Sequence, residues 1–318
     1  MQLALATIAP QWRAYVELTK PRVVSLMMFT VLVGMLLSTH ALIPWRIWLF
    51  APLGIALVAG SAAAINHLVD RRIDAVMART RRRPLPTGAL DAMQVLGFAA
   101  VLGAAGMAVL VLFTNVLCAV LTFASLVGYA VVYSMLLKHA TPHNIVIGGA
   151  AGAAPPLLGW VAVTGHVDPG ALVLFLIIFV WTPPHFWALA IHRRDDYARA
   201  DVPMLPVTHG VAFTAGRILS YTVLLVLVTL VPFAIGMSGW LYLAGALPLG
   251  ARFLWFAWKL RRDTRLAMPA FRWSIVYLFA LFAVLLADHY VALNAAAGSG
   301  TMSIGSIASA GVKPNTRP

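Results

Sequence analysis

Acidic residues and cysteines are scarce in this sequence. Of its 318 residues only ten are Asp or Glu, and charged residues of both signs make up 10% of the chain. Since 61% of the residues are hydrophobic, the chain carries far more apolar surface than a soluble core of this size buries. The lone cysteine, Cys118, excludes a disulfide framework and a cysteine metal cluster. The composition is that of a membrane protein.

Long apolar runs predict the architecture. A helix of about 20 apolar residues crosses a hydrocarbon core of roughly 30 Å. Nine runs approach that length, at residues 22–39, 47–66, 94–114, 116–137, 143–163, 170–191, 217–236, 240–258 and 272–292. We predict an all-α polytopic membrane protein with about nine transmembrane helices, although Arg252 interrupts the eighth run. Residues 1–21 precede the spanning domain of residues 22–292, and a disordered tail is predicted for residues 293–318.

The basic residues alternate between the joints of these spans. Nineteen of the 23 Lys and Arg residues fall on one predicted side, and Arg252 lies inside a span. By the positive-inside rule the N-terminus is predicted to be cytoplasmic and the C-terminus to lie outside. The net charge of +13 is then explained by topology and by lipid headgroups, so no nucleic-acid partner is expected.

The stretch from Asn66 to Gly88 concentrates unusual chemistry beside the second span. Asn66, Asp70 and Asp74 recur at every fourth residue, which on a helix turns each by only about 40° and places them on one face. Carboxylate oxygens are preferred ligands of Mg²⁺, which proteins commonly share with substrate phosphates. These three residues are therefore candidate metal ligands.

Arginines follow these acids with the same spacing. Arg79 and Arg83 are four residues apart, and the guanidinium fork matches the oxygens of a phosphate. We therefore expect both to bind a diphosphate. The simpler alternative is a surface loop in which acids and arginines merely pair, since exposed pairs are common and contribute little.

The same stretch resembles the signature of the UbiA-type intramembrane prenyltransferases. The matching residues are Asn66, Asp70, Ile73, Asp74, Met77, Arg79, Thr80, Arg83 and Gly88. The resemblance implies about nine helices around a central cavity in a membrane, most simply the bacterial inner membrane. It also implies that Mg²⁺ bridges the acids to an isoprenyl diphosphate at the cytoplasmic end.

A second acidic group follows the sixth span on the same predicted side. The family often places two acids four residues apart there, but Ala200 stands four residues after Asp196. Asp196 is therefore expected to be the fourth metal ligand and, like Asp70 and Asp74, a catalytic residue. Asp195 and Asp201 are weaker candidates.

The run from Trp181 to Trp187 resembles the branch of this family that farnesylates heme. That resemblance implies farnesyl diphosphate as donor and heme B as substrate, with the product passing to heme A synthase or to terminal-oxidase assembly proteins. Lys138 and Asn144 also fit the branch, and both are expected to contact the diphosphate, Lys138 with a catalytic role. His139 departs from the basic residue usual at its position, so a second basic contact is in doubt there.

His185 and Trp181 are the candidate heme contacts. An ionisable residue inside a membrane helix is by default a functional candidate, yet His185 could equally be a neutral histidine hydrogen-bonded between helices. Three other functions stay open: prenylation of an aromatic quinone precursor, membrane transport, and heme holding during assembly. Asp70→Ala and Asp74→Ala should abolish prenyl transfer by an enzyme while leaving heme association largely intact.

Overall fold

A computed structural model of the chain describes residues 11–77 and 80–305, without the side chains of His139 and of residues 292–305. Within that part of the chain the structure is helical and contains no strand. The helices are α1 Gln11–Leu18, α2 Pro21–Leu37, α3 Trp45–Val76, α4 Ala92–Phe113, α5 Val116–Val127, α6 Lys138–Ala140, α7 Asn144–Thr164, α8 Pro169–His192, α9 Arg194–Arg199, α10 Leu205–Thr208, α11 Val211–Val228, α12 Val231–Ala234, α13 Trp240–Leu260 and α14 Ala267–Gly305. A π-helical segment, Gly128–Leu137, continues α5, and a 3₁₀ turn, Thr264–Leu266, precedes α14.

These helices confirm the predicted all-α membrane architecture. Eight helical stretches in the described chain are long and apolar enough to cross a membrane, or nine if the bent pair α1 and α2 counts as one span. The two helices of that pair meet at 46°. The bend is at Lys20, whose left-handed backbone (φ 51°) is followed by Pro21 at the first position of α2.

Glycines allow the two central helices α2 and α7 to approach closely. A Cβ atom on Gly34 would collide with the carbonyl of Pro156, and one on Gly159 would collide with the carbonyl of Val31. Small residues that bring backbones together are a common means of packing helices in lipid, where no hydrophobic force joins them. This contact fixes α2 against α7 along one side of the interior.

Three features of the helices depart from the sequence-based boundaries. The seventh span breaks between α11 and α12, because Pro232 cannot donate the hydrogen bond that would continue the helix. Arg252 is accommodated inside α13 with its guanidinium 4.4 Å from the centre of the Trp273 ring. Helix α14 continues to Gly305, past the predicted boundary at residue 292, through a segment that includes the helix-favouring run Ala295–Ala297. The rest of the predicted tail lies outside the described residues.

Candidate active site

Three polar side chains of α3 form one buried row at the end of the helix. Asn66, Asp70 and Asp74 are 4%, 4% and 3% exposed, so the predicted single face of the helix turns into the protein. The amide nitrogen of Asn66 donates to Asp70 Oδ2 at 3.0 Å. Buried carboxylates are costly unless they are paired, and the surroundings of this row supply cations.

Each member of the row faces a basic side chain from another part of the chain. Lys138 Nζ lies 2.6 Å from Asp70 Oδ2, and Arg83 Nη1 lies 2.9 and 2.8 Å from the two oxygens of Asp74. The ammonium of Lys20 donates to Asn66 Oδ1 at 2.5 Å. The acids are thus neutralised by groups that can also bind phosphate oxygens.

The carboxylate of Asp70 fits a divalent cation. Its Oδ2 atom accepts from Asn66 and Lys138, whereas its Oδ1 atom is buried with no hydrogen-bond partner in the described chain. A buried acceptor without a donor is unusual, and a hard cation bound by oxygen ligands satisfies it. No three Asp, Glu, His or Cys side chains of the described residues are grouped closely enough to hold an ion by themselves. An ion here would therefore take ligands from its substrate or from water.

The π-helical segment positions Lys138 over the row. Ser134 accepts from the amide of Asn66 at 3.0 Å and donates to the carbonyl of Tyr129, five residues back, at 2.9 Å. Asn144 at the start of α7 donates to the backbone carbonyl of Lys138 at 3.2 Å. Its own Oδ1 atom is buried without a partner among the described residues. Asn144 thus fixes the backbone that carries Lys138, and its predicted diphosphate contact remains a prediction.

Lys20 is a site residue that the sequence motifs did not indicate. It stands between α1 and α2, and burial, followed by repulsion from Arg83, lowers its pKa to about 8. A lysine so placed keeps its charge only with anionic help, which the nearby acids give in part. The one signal in the sequence was the Lys20-Pro21 pair just before the first predicted span.

The structure places Asp196 in α9, paired with arginines of its own segment. Its carboxylate lies 3.5 Å from Arg193 Nη1 and 2.5 Å from Arg199 Nη2, and 24% of its side chain is exposed. Asp195 and Asp201 are exposed. The predicted role of Asp196 as a metal ligand stays a prediction, and Arg79 lies outside the described residues.

An apolar cavity of about 480 Å³ extends from Lys20 into the helix bundle. Helices α2, α3, α5, α7, α8 and α14 and the π-helical segment contribute its lining. Val23 and Phe186 on this lining are 54% and 41% exposed, so the cavity opens on the side of the bundle. A Cβ atom added to Gly152 would meet no other atom within 4 Å, whereas Gly148 and Gly149 pack against Tyr133 and Thr182. One end is thus cationic and the remainder suits a hydrocarbon chain.

Both predicted heme contacts line this cavity. His185 and Trp181 project from successive turns of α8, and their rings stack with centroids 4.2 Å apart. The ring of Phe271 from α14 also stacks on that of His185, with centroids 4.5 Å apart. Lys20 lines this cavity and also donates to Asn66, so the row on α3 lies next to the end of the cavity that the aromatic group on α8 also lines.

The arrangement defines a helical membrane protein with a polar, cation-rich site at one end of an apolar cavity. A model of the UbiA prenyltransferase family matches residues 27–284. The chain belongs to the UbiA prenyltransferase family. This confirms the family resemblance that Asn66, Asp70 and Asp74 indicated.

The relatives of this chain carry names that are more specific than the name of the family. The chain is 62% identical over 285 residues to a protoheme IX farnesyltransferase of Ectopseudomonas mendocina (strain ymp), a match covering 89% of this chain and 95% of that protein. It is 60% identical over 291 residues to protoheme IX farnesyltransferase 1 of Pseudomonas aeruginosa (strain UCBPP-PA14), covering 90% and 96%. These names agree with the branch that the run from Trp181 to Trp187 resembles.

Solved structures share the fold at low identity. One, from a study of digeranylgeranylglyceryl phosphate synthase in membranes, aligns with a TM-score of 0.76 at 18% identity, covering 88% of this chain and 98% of that chain. A UbiA homolog from Archaeoglobus fulgidus bound to DMAPP and Mg²⁺ aligns with a TM-score of 0.58 at 14% identity, covering 85% and 98%. The helix arrangement is thus that of the family.

Proposed function

We propose that this protein transfers the farnesyl group of farnesyl diphosphate to a vinyl group of heme B, with Mg²⁺ as cofactor, and so forms heme O for terminal oxidases. The observation that carries the proposal is the buried row of Asn66, Asp70 and Asp74, joined through Lys20 to an apolar cavity that Lys20 lines. The relatives named protoheme IX farnesyltransferase supply the identity of donor and acceptor.

Each polar residue has a part in holding the donor. Asn66, Asp70, Asp74 and Asp196 are the proposed ligands of Mg²⁺, which when bound would neutralise the diphosphate and stabilise its departure. Lys138 and Arg83, now 2.6 and 2.8 Å from the carboxylates, would turn to the diphosphate oxygens, together with Arg79, Lys20 and Asn144. Asp74 and Asp70 are now paired with Arg83 and Lys138. Binding of Mg²⁺ and the diphosphate would therefore replace these ion pairs with new ones, between the acids and the metal and between the basic residues and the diphosphate.

The proposed reaction breaks the allylic carbon–oxygen bond of the donor, the π bond of the vinyl group and one O–H bond of water, and it forms one carbon–carbon and one carbon–oxygen bond. The allylic carbon–oxygen bond of the donor breaks, and its electron pair leaves with diphosphate. The π electrons of the heme vinyl group form the new carbon–carbon bond, and water adds to the resulting cation and loses a proton. The apolar lining of the cavity, including Ile55, Leu158 and Ile178, keeps water from the allylic carbon before the acceptor arrives.

The proposed setting is the bacterial inner membrane, with the N-terminus cytoplasmic and the C-terminus outside. The row on α3, helix α9 and the joint between α13 and α14 then share the cytoplasmic side, where the donor diphosphate is soluble. Heme B would enter from lipid through the side opening at Val23 and Phe186. Heme A synthase or terminal-oxidase assembly proteins are the proposed recipients of the product.

The function is tested with purified protein in lipid nanodiscs given heme B, farnesyl diphosphate and Mg²⁺. We expect a more hydrophobic heme, identified by chromatography and by a mass increase equal to one farnesyl group plus one hydroxyl group. Asp70→Asn and Asp74→Asn should lower the rate by about 100-fold or more, on the scale of losing one charge-stabilising group.

Asp263→Asn is the matched control, because Asp263 is exposed and only caps the turn before α14. Its rate should equal that of the original protein. Prenylation of an aromatic quinone precursor with heme unchanged would reject heme as acceptor while leaving prenyl transfer standing. Full activity of Asp70→Asn would reject the proposed metal site.

A further inference from the structure

Ser274 of α14 joins the two aromatic residues of α8 that line the cavity. Its side chain is fully buried, and its Oγ atom lies 2.6 Å from Nδ1 of His185. Its backbone carbonyl accepts the indole N–H of Trp181 at 2.8 Å. One residue therefore fixes both rings, although it is far from them in the sequence.

The direction of these hydrogen bonds assigns the tautomer of His185. The hydroxyl of Ser274 lies 2.6 Å from the carbonyl oxygen of Phe271, and a carbonyl can only accept. The single hydroxyl proton is therefore directed to Phe271. Nδ1 of His185 must then carry a proton and donate it to Ser274 Oγ. In a neutral imidazole the lone pair lies on the other nitrogen, Nε2.

Nε2 of His185 has no hydrogen-bond partner among the described residues. Unlike the fully buried polar atoms that have no partner, Nε2 is not completely enclosed by protein atoms. It is therefore accessible from the cavity that the ring lines. The ring contacts of His185 are Trp181, Phe186 and Phe271, which bring no acid to it. Burial among aromatic rings favours the uncharged imidazole.

A fixed N–H at Nδ1 together with a free lone pair at Nε2 is typical of a histidine that ligates a metal rather than of one that only packs between helices. A histidine that only joins helices needs no nitrogen open to a cavity, whereas Nε2 of His185 has no partner among the described residues and is accessible from the cavity. Histidines that ligate metals instead donate one N–H to a fixed acceptor and keep the other nitrogen free. The stacked rings of Trp181 and Phe271 prevent rotation of the imidazole, so the lone pair has one direction.

We propose that Nε2 of His185 binds the iron of heme B as an axial ligand and that Ser274 is the positioning residue that sets its tautomer and orientation. The inference rests on the proposed function, because it takes heme as the substrate in the cavity. It adds that the iron, and not only the porphyrin surface, is recognised. Ligation would anchor the macrocycle while a vinyl group reacts.

The test is a titration of the nanodisc-embedded protein with ferric heme B, followed by visible absorption and by electron paramagnetic resonance. The original protein should give the spectrum of a histidine-ligated heme. His185→Ala should lose that spectrum, and added imidazole should restore it by occupying the vacated space. Ser274→Ala should keep the histidine but weaken heme binding by about 10- to 100-fold and shift the spectrum, the usual effect of removing such a partner.

Two controls separate ligation from a structural effect. Ser220→Ala removes an exposed serine whose hydroxyl bonds only to Gly216 of its own helix, and it should leave the heme spectrum unchanged. Free-base protoporphyrin IX has no iron, so its affinity should be the same for the original protein, His185→Ala and Ser274→Ala.

The outcomes are distinguishable from those of the proposed function. If heme is farnesylated by the original protein but His185→Ala keeps the same heme spectrum and affinity, the ligation is wrong and the function stands. An equal loss of free-base protoporphyrin binding in the variants would also overturn ligation in favour of simple packing. If Ser274→Ala is identical to the original protein in both readouts, the positioning role is wrong. Absence of any prenylated heme would instead reject the proposed function.

Discussion

The two carboxylate oxygens of Asp70 differ in their hydrogen-bond partners. Oδ2 is held by Lys138 and Asn66, while Oδ1 is buried without a partner in the described chain. Lys138 therefore stabilises the carboxylate while no cation from solution is bound. Losing one partner of a buried ion pair typically costs about 3–5 kcal/mol, because the other charge stays buried and unpaired.

Lys138→Met should consequently destabilise the protein in the absence of Mg²⁺. Adding Mg²⁺ should raise the melting temperature of this variant more than that of the original protein, since an ion that binds only the folded state stabilises it. The measurement is thermal unfolding in detergent over a range of Mg²⁺ concentrations. Lys259→Met is the control, because Lys259 is exposed and stacks on Trp255. An equal Mg²⁺ response in all three proteins would contradict the assignment of Asp70 as a metal ligand.

Sequence spacing predicted the residues of the row on α3 but not all of their partners. The four-residue repeat fixes which side chains share a helix face, so Asn66, Asp70 and Asp74 were identified directly. Lys138 was selected only through family resemblance, and Lys20 not at all. Their contacts with α3 join residues 68 and 46 positions apart, for which local pattern carries no information.

Among the helices, α4 offers a direct test of packing against α3. Gly106 of α4 faces Gly54, whose carbonyl would lie 2.8 Å from a Cβ atom added at Gly106. Gly97 of the same helix has nothing within 4 Å of that position. The two glycines thus differ in surroundings and not in secondary structure.

Opposite changes in stability are expected for the two alanine variants. Gly97→Ala should stabilise the helix by about 0.5–1 kcal/mol, because glycine costs conformational entropy there. Gly106→Ala should destabilise the protein by about 1–3 kcal/mol through overpacking against backbone. Melting temperatures of the purified variants provide the comparison. A Gly106→Ala protein as stable as Gly97→Ala would show that α3 and α4 do not meet at this distance.

The positions of the spans were predictable because hydropathy acts locally, whereas their exact ends and the type of helix were not always predictable. The run at residues 116–137 was predicted as one span, and it is one span, but its second half is π-helical. Nothing in that apolar sequence distinguishes the two helix types. The difference depends on side-chain contacts such as the bond between Ser134 and Asn66, which form only in the folded bundle.

On the scale of the whole molecule, the site depends on which end of the bundle faces the cytoplasm. Nineteen basic residues share one predicted side with the row on α3, while the joint at residues 38–44 lies on the other side. The positive-inside rule concerns insertion and is independent of the catalytic argument. The orientation can therefore be measured separately from activity.

Cysteine labelling measures it with little interference, because the chain's one cysteine, Cys118, is fully buried and close to the Leu158 carbonyl. Leu42, 99% exposed in the joint between α2 and α3, and exposed Asp263, between α13 and α14, are suitable positions for new cysteines. In spheroplasts a membrane-impermeant maleimide should label Leu42→Cys at once and Asp263→Cys only after lysis, with the original protein unlabelled. The reverse pattern would place the row on α3 outside, away from a cytoplasmic diphosphate. It would contradict the proposed orientation.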